Sequence, residues 1–324
     1  MSEIRKHYFL DEYCIIATER SKRPSDFVSK KREKSSVNDC VFCAGNEGKT
    51  PPATAVYKKG DILKDTKEEL VEGWEVRCIP NLYPAVSTES AKPVLSGWEV
   101  QEGFGFHEVI VESPTHGRTL SSFSDNEIEL LMQVYSDRLY YYHSKENIQY
   151  VSLFKNWGES AGASLEHIHS QLIALPILPP VLKREQAAIH VVDGCPYCHM
   201  IEKERKSERM VHENKDFVAI APYASRSPFE VWILPKHHVN HLTNCTAEML
   251  RSFGEMIRFV LLQYENLLGF PSYNYMFYGI FGDDSYHLNM RCHPILSTPA
   301  GFEKNTDIYI NSVTPEGAAL YLKI

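Results

Sequence analysis

"EVIVESPTHGRTLSSFS", residues 108–124, and "EVWILPKHHVNHLTNCT", residues 230–246, decide how this chain is organised. Both open with a short apolar strand, pass a proline and reach a histidine eight residues after the glutamate, His116 and His238. Eight residues further on, both offer a helix N-cap, Ser124 and Thr246, whose side-chain oxygen can accept from the first helical turn. Ser124 also has Glu127 three residues later, the spacing of a capping box. The caps predict amphipathic helices over roughly 125–144 and 247–268. A strand rich in β-formers follows each helix, "IQYVSLF" and "YNYMFYGIF". Each segment then meets another histidine, His167 or His287, 51 and 49 residues beyond the first. So many matched offsets are read as a duplication.

The composition sets outer limits. A chain of 324 residues suggests two domains or one large one, and 43% hydrophobic with 23% charged residues is ordinary for a soluble globular protein. A net charge of -8 argues against general nucleic-acid affinity, which needs a basic surface. No stretch reaches the eighteen or so apolar residues of a membrane span, so a cytoplasmic protein is expected.

Four of the eight cysteines form two pairs, "CVFC" (Cys40, Cys43) and "CPYC" (Cys195, Cys198). Cys14, Cys78, Cys245 and Cys292 are scattered in apolar contexts and read as buried thiols. Without a secretion signal, paired cysteines are metal ligands or redox groups more often than structural disulfides. "NDCVFCAGNEGKTPPA" leads into glycine and proline rather than a helix, which suits a zinc knuckle. Zinc wants four ligands, and the duplication supplies the rest. One tetrad is Cys40, Cys43, His116 and His167; the other is Cys195, Cys198, His238 and His287. Each predicts a closed, structural Zn2+ site, two per chain. His237 competes with His238 for the second.

One histidine is left over. "SAGASLEHIHSQLIALPILPP", residues 160–180, carries His169 two residues after His167, whereas the second copy reads "HLN" and has Asn289 there. The metal ligand is repeated and the second imidazole is not. That asymmetry makes His169 the candidate nucleophile or general base of one active half. Upstream, "ATERSKRPSDFVSKK" sets Arg20 and Arg23 close together, and arginine forks match phosphate oxygens. A solvated basic loop is the commoner meaning of such a run. "FKNWGESAGAS" adds Asn156, Gly162, Ala163 and Ser164, a small-residue stretch that can bring backbone N–H groups to an anion.

Taken together, "ERSKRPSDF", "CVFCAGNEGKTPPA", "IPNLYPAV", "SAGASLEHIHSQ", "CPYC", "LPKHHV" and "AGFE" resemble the class I galactose-1-phosphate uridylyltransferase family of the histidine-triad superfamily, especially its ADP-glucose phosphorylase-like branch. The resemblance implies an α+β fold of two histidine-triad-like halves, each an antiparallel sheet with a long helix, stapled by zinc. The catalytic half would span residues 1–182 and the degenerate half residues 183–324. It implies nucleotidyl transfer between a nucleotide sugar and a sugar 1-phosphate or phosphate, through a nucleotidyl-histidine at His169. Gln171 would donate to the phosphoryl group, with Arg20, Arg23, Asn156 and Ser164 as further phosphate contacts. Asn81 matches the nucleotide-side loop. Gly301 and Glu303 match a sugar-side loop that in the family reaches across from a dimer partner, so a homodimer is expected.

Two departures bear on specificity. Ala163 stands where some members have a cysteine, which puts uridylyl specificity in doubt. The second half keeps Cys195 and Cys198, where the better-known bacterial enzymes build an iron site, and this favours a second zinc. Three readings follow: a hexose-1-phosphate uridylyltransferase-like enzyme, an ADP-sugar phosphorylase using inorganic phosphate, and a zinc-stapled nucleotide-binding protein or slow hydrolase.

Overall fold

The computed structural model describes residues 2–17, 24–28, 40–89 and 103–323. Runs of β-branched and aromatic residues punctuated by turn formers become strands along the chain. β1 (Glu3–Lys6) and β2 (Tyr13–Ile16) pair antiparallel. β3 (Ala55–Lys58), β4 (Asp61–Leu63), β5 (Val76–Pro80) and β6 (Phe106–Val111) precede the first long helix, α1 (Asp125–His143). Then come β7 (Tyr150–Trp157), β8 (His169–Leu175), α2 (Pro180–His190) and α3 (Pro196–Glu204). β9 (Met210–Glu213), β10 (Phe217–Ile220) and β11 (Val231–Pro235) lead to the second long helix, α4 (Ala247–Leu268). β12 (Tyr273–Tyr278), β13 (Asn289–Pro294), α5 (Gly301–Thr306), β14 (Tyr309–Asn311) and α6 (Pro315–Leu322) complete the chain. β14 lies parallel beside β2, tying the two ends together.

One continuous sheet, ordered β4-β3-β5-β6-β8-β7-β12-β13-β11-β10-β9, organises the molecule. The sequence predicts a sheet for each half; the structure joins them, because β7 and β12 pair antiparallel from Tyr273↔Trp157 to Met276↔Phe154. Joining satisfies backbone groups that two exposed edges would leave open. The order reads alike outward from that junction, β7-β8-β6-β5 on one side and β12-β13-β11-β10 on the other.

The long helices begin where their caps predict. The Ser124 side chain accepts from Glu127 N–H while the Glu127 carboxylate accepts from Ser124 N–H, and Thr246 accepts from Met249 N–H. Both helices bury an apolar stripe on one face of the sheet, in a single core with Ile110, Leu153, Leu172, Val231, Tyr275 and Met290. They meet at Gly254, where a Cβ would lie 2.8 Å from Ile128 Cγ1 and 2.9 Å from Met132 Cγ. On the opposite face, α2 and α3 cover β10 and β11 with Leu182, Tyr197, Met200 and Ile201. Over the first half that face is covered by Cys40, Phe42, Cys43 and Trp74 instead. No helix among the described residues is long and apolar enough to cross a membrane.

Candidate active site

Pairing Val111↔His169 and Val109↔Gln171 sets His169 at the start of β8 and Gln171 two residues on. Alternation turns both away from the helices, while Ser170 points toward them. His169 is buried, and its ring lies 5.4 Å from that of Phe42 at a steep angle. Its Nδ1 sits 2.7 Å from the His167 carbonyl oxygen. A carbonyl only accepts, so Nδ1 carries the proton and Nε2 keeps its lone pair. Burial, helped by the Lys155 charge, holds the imidazole below its ordinary pKa and so neutral.

Beneath the strand lies a closed polar network. Lys155 Nζ donates to the His169 carbonyl at 2.9 Å and to the Glu112 carboxylate. The Ser170 and Tyr135 hydroxyls donate to the other carboxylate oxygen, and Tyr275 from β12 joins through Tyr135 at 2.8 Å. The Lys155 and Glu112 side chains are both fully buried. Such a pair is tolerated because the two charges face each other and both groups make further hydrogen bonds. It fixes the backbone on which His169 is mounted.

On the open face, Gln171 Oε1 is 2.9 Å from His107 Nε2, and Asn81 Nδ2 is 3.1 Å from the same atom. Sequence reading missed His107. Its signal was available, since residues 107, 109 and 111 alternate onto the face that carries Gln171. Asn156 Oδ1 accepts from Asn274 Nδ2 at 2.7 Å, and the same Asn274 amide donates to Ala161 O at 2.9 Å. This second-half residue thereby ties Asn156 to the small-residue loop. Gly162 has φ +87, a left-handed conformation that suits glycine. Ala163 is half-buried and Ser164 exposed in the same loop. Asn156 and Glu303 line one cavity of about 430 Å³, with Arg226, Trp232, Tyr278 and His293. Glu303 also accepts from Ala300 N–H at 2.9 Å at the start of α5, where Gly301 is exposed. Arg20 and Arg23 lie outside the described residues.

The Cys/His sets converge as the sequence predicts. In each, one donor atom per residue lies within 4.8 Å of the others. Cys40 Sγ and Cys43 Sγ stand 3.4 and 3.6 Å from His167 Nδ1, and Cys43 Sγ is 3.5 Å from His116 Nδ1. In the second set the distances are 3.7 Å for Cys195 to His287, and 3.6 Å for Cys198 to His238 and to His287. A tetrahedral ion with bonds of about 2.3 Å to sulfur and 2.0 Å to nitrogen would separate S from N by about 3.5 Å. His238, not His237, is therefore the fourth member. The Nε2 atoms face acceptors: Ser113 O at 2.7 Å for His167, Pro235 O at 3.1 Å for His287 and Asp284 O at 2.9 Å for His238. Those bonds put the protons on Nε2 and leave Nδ1 free to bind a metal ion. Of the remaining cysteines, Cys14, Cys78 and Cys292 are buried and Cys245 is half-buried.

Residues 1–179 match the galactose-1-phosphate uridyl transferase N-terminal domain, and residues 118–320 match a domain of unknown function, DUF4921. ADP-glucose phosphorylase of Arabidopsis thaliana is 33% identical over 99% of this chain and 92% of its own. Galactose-1-phosphate uridylyltransferase of Thermotoga maritima is 27% identical over 100% of this chain and 98% of its own. The crystal structure of an Arabidopsis thaliana ADP-glucose phosphorylase with bound ADP-glucose superimposes with a TM-score of 0.81 at 30% identity, covering 100% of this chain and 99% of that one. The chain belongs to the galactose-1-phosphate uridylyltransferase family, on its ADP-glucose phosphorylase-like branch.

Proposed function

We propose that this protein is a nucleotidyltransferase that moves a nucleoside monophosphate between a nucleotide sugar and a sugar 1-phosphate or inorganic phosphate. The observation that carries the reading is the tautomer of His169, with Nδ1–H tied to the His167 carbonyl and the Nε2 lone pair left as nucleophile. Nε2 attacks the α-phosphorus, and the bond to the bridging oxygen breaks as the sugar 1-phosphate leaves with that electron pair. The resulting imidazolium keeps its Nδ1 proton, and its charge is stabilised by the same carbonyl. An acceptor phosphate oxygen then attacks the phosphorus and His169 departs neutral, so no net proton transfer is needed. Splitting the exchange this way gives ping-pong kinetics. The Gln171 amide donates to the phosphoryl oxygens, and losing such a donor costs about a hundred- to thousandfold in rate. Arg20, Arg23, Asn156, Ser164 and the Gly162–Ala163 backbone serve as further phosphate contacts, Asn81 on the nucleotide side and Gly301 and Glu303 on the sugar side.

The matched strand order supports a duplication, with a catalytic half over residues 1–182 and a degenerate half over residues 183–324. Both Cys/His groups fit zinc, which when bound ties a loop to the sheet. We assign a homodimer, as the family's sugar-side loop implies, and a place in carbohydrate metabolism. The test is intact mass after separate incubation with UDP-glucose, ADP-glucose and GDP-mannose. One nucleotidyl adduct per chain, lost in His169→Asn, supports the reading; no adduct with any of them overturns it. A phosphorylase reading is favoured by the 33% identity to the Arabidopsis thaliana enzyme and by Ala163. It requires the preformed adduct to discharge to inorganic phosphate faster than to galactose 1-phosphate or water.

A further inference from the structure

We infer that His107 is a positioning residue that sets the orientation of the Gln171 amide, which rests on the transfer chemistry proposed above. Protons decide the matter. A backbone N–H only donates, so the 3.1 Å contact from Ala85 N–H makes His107 Nδ1 an acceptor. A neutral imidazole accepting at Nδ1 must carry its proton on Nε2. Gln171 Oε1, 2.9 Å away, receives that proton; the flipped amide would set N–H against N–H. Asn81 does not compete for it. Its Oδ1 is held by Tyr83 N–H at 2.8 Å, and the group it turns toward His107 is Nδ2, itself a donor.

Gln171 thus has one end fixed, and its NH2 has no partner among the described residues. Strand alternation keeps that amide on the face of His169, two residues earlier. Released from His107, the amide could rotate and present Oε1 to the phosphoryl oxygens, replacing attraction by lone-pair repulsion. His107 therefore acts through Gln171 and touches neither the nucleophile nor the leaving group.

The experiment uses single-turnover nucleotidylation of His169 with ADP-glucose or UDP-glucose, whichever labels the enzyme, and with its two α-phosphorothioate diastereomers. Sulfur is a poor acceptor, so the diastereomer that turns sulfur toward Gln171 reacts more slowly. Gln171→Ala should erase that preference. His107→Leu should do the same while slowing labelling about ten- to a hundredfold, the scale of a misplaced catalytic group. In the Gln171→Ala background, His107→Leu should slow labelling less than about twofold, the non-additivity expected of residues that act as one unit. His107→Gln, polar but without a fixed proton, should give an intermediate diastereomer ratio and covers the case in which the leucine variant misfolds. A wild-type diastereomer ratio in His107→Leu, or a loss that multiplies in full with Gln171→Ala, would overturn the inference. An adduct absent from the wild type would instead remove the transfer reading, and this inference with it.

Discussion

His169 and Asn289 stand at corresponding places in the sheet, and their surroundings differ. Both side chains donate to the carbonyl two residues back, His169 Nδ1 to His167 O at 2.7 Å and Asn289 Nδ2 to His287 O at 3.1 Å. Beyond that shared bond, the other ring nitrogen of His169 has no partner among the described residues, whereas Asn289 spends its Oδ1 on Arg291 Nε at 2.9 Å. Arg291 occupies the position of Gln171. Its guanidinium reaches Glu185 at 2.7 Å and Tyr197 at 3.0 Å, and it lies over the Trp232 and Tyr278 rings. Arg291 is thus tied to neighbours of its own, and with Trp232 and Tyr278 it lines the cavity of about 430 Å³. The polar network below has gone as well: Phe277 replaces Lys155 and Met290 replaces Ser170, while Leu234 and Pro235 at the end of β11 carry no carboxylate. The strand end that carries His169 rests on fixed polar support, and its counterpart at Asn289 rests on apolar packing.

The largest effect should come from exchanging the two residues. His169→Asn should abolish the adduct with melting temperature and metal content unchanged. Asn289→His should still give one adduct per chain, because Arg291, bonded to Glu185 and Tyr197, stands there in place of Gln171; two adducts would end the contrast. Lys155→Met leaves the Glu112 carboxylate buried and unpaired, and should cost about 3–5 kcal/mol in urea unfolding. Phe277→Leu, the matching site in the second half, should cost no more than about 1.5 kcal/mol.

Next in size are the metal groups. Cys40, Cys43 and His167 are buried, while His238 is exposed and Cys195 and Cys198 are half-buried. A chelator titration followed by elemental analysis should therefore empty the second site first. Cys40→Ala should slow nucleotidylation as well as lower the melting temperature, because Phe42 in the same loop packs on His169. Cys198→Ala should lower the melting temperature and leave nucleotidylation intact. Equal effects on labelling would break the comparison.

The helix crossing is asymmetric in a simpler way. Gly254 in α4 faces Ile128 and Met132 of α1 with no room for a Cβ, so Gly254→Ala should destabilise by about 1–3 kcal/mol despite its better helix propensity. The smallest effect is on the acid side. The end of α1 brings His143 to His241, ring centroids 5.1 Å apart, while the end of α4 brings Glu265 to Ser121 at 2.7 Å. Burial lowers His143 to about 4 and His241 to about 3, below the ordinary 6.5. Depressed histidines bind more protons unfolded than folded. Their contribution is complete above pH 6.5 and is lost as pH falls toward 4, with a slope of up to about 1.4 kcal/mol per pH unit for each. Stability measured from pH 7 to 4 should fall less steeply in His241→Asn; an unchanged slope would remove that difference between the two contacts.

Much of this was legible in the chain itself. Ser124 and Thr246 announced the helix starts, and the CxxC pairs with His116, His167, His238 and His287 announced both Cys/His groups, because caps and such residue sets are local choices repeated at fixed offsets. The missing imidazole at Asn289 makes His169 a candidate by the same logic. The shared "EV" start misled in one detail: Glu108 pairs with Leu172, but Val231, not Glu230, pairs with Cys292, so the second strand is displaced by one residue. Strand register depends on partners far away in sequence, and a shift of one residue leaves the local pattern intact. Tertiary structure alone joined the halves through β7 and β12, brought Tyr275 of one half into the network of the other, tied Asn156 to Asn274 and set His107 beside Gln171. Those contacts link residues 64 to 140 positions apart. They exist only because neighbouring strands lie side by side in one sheet, which no local spacing records.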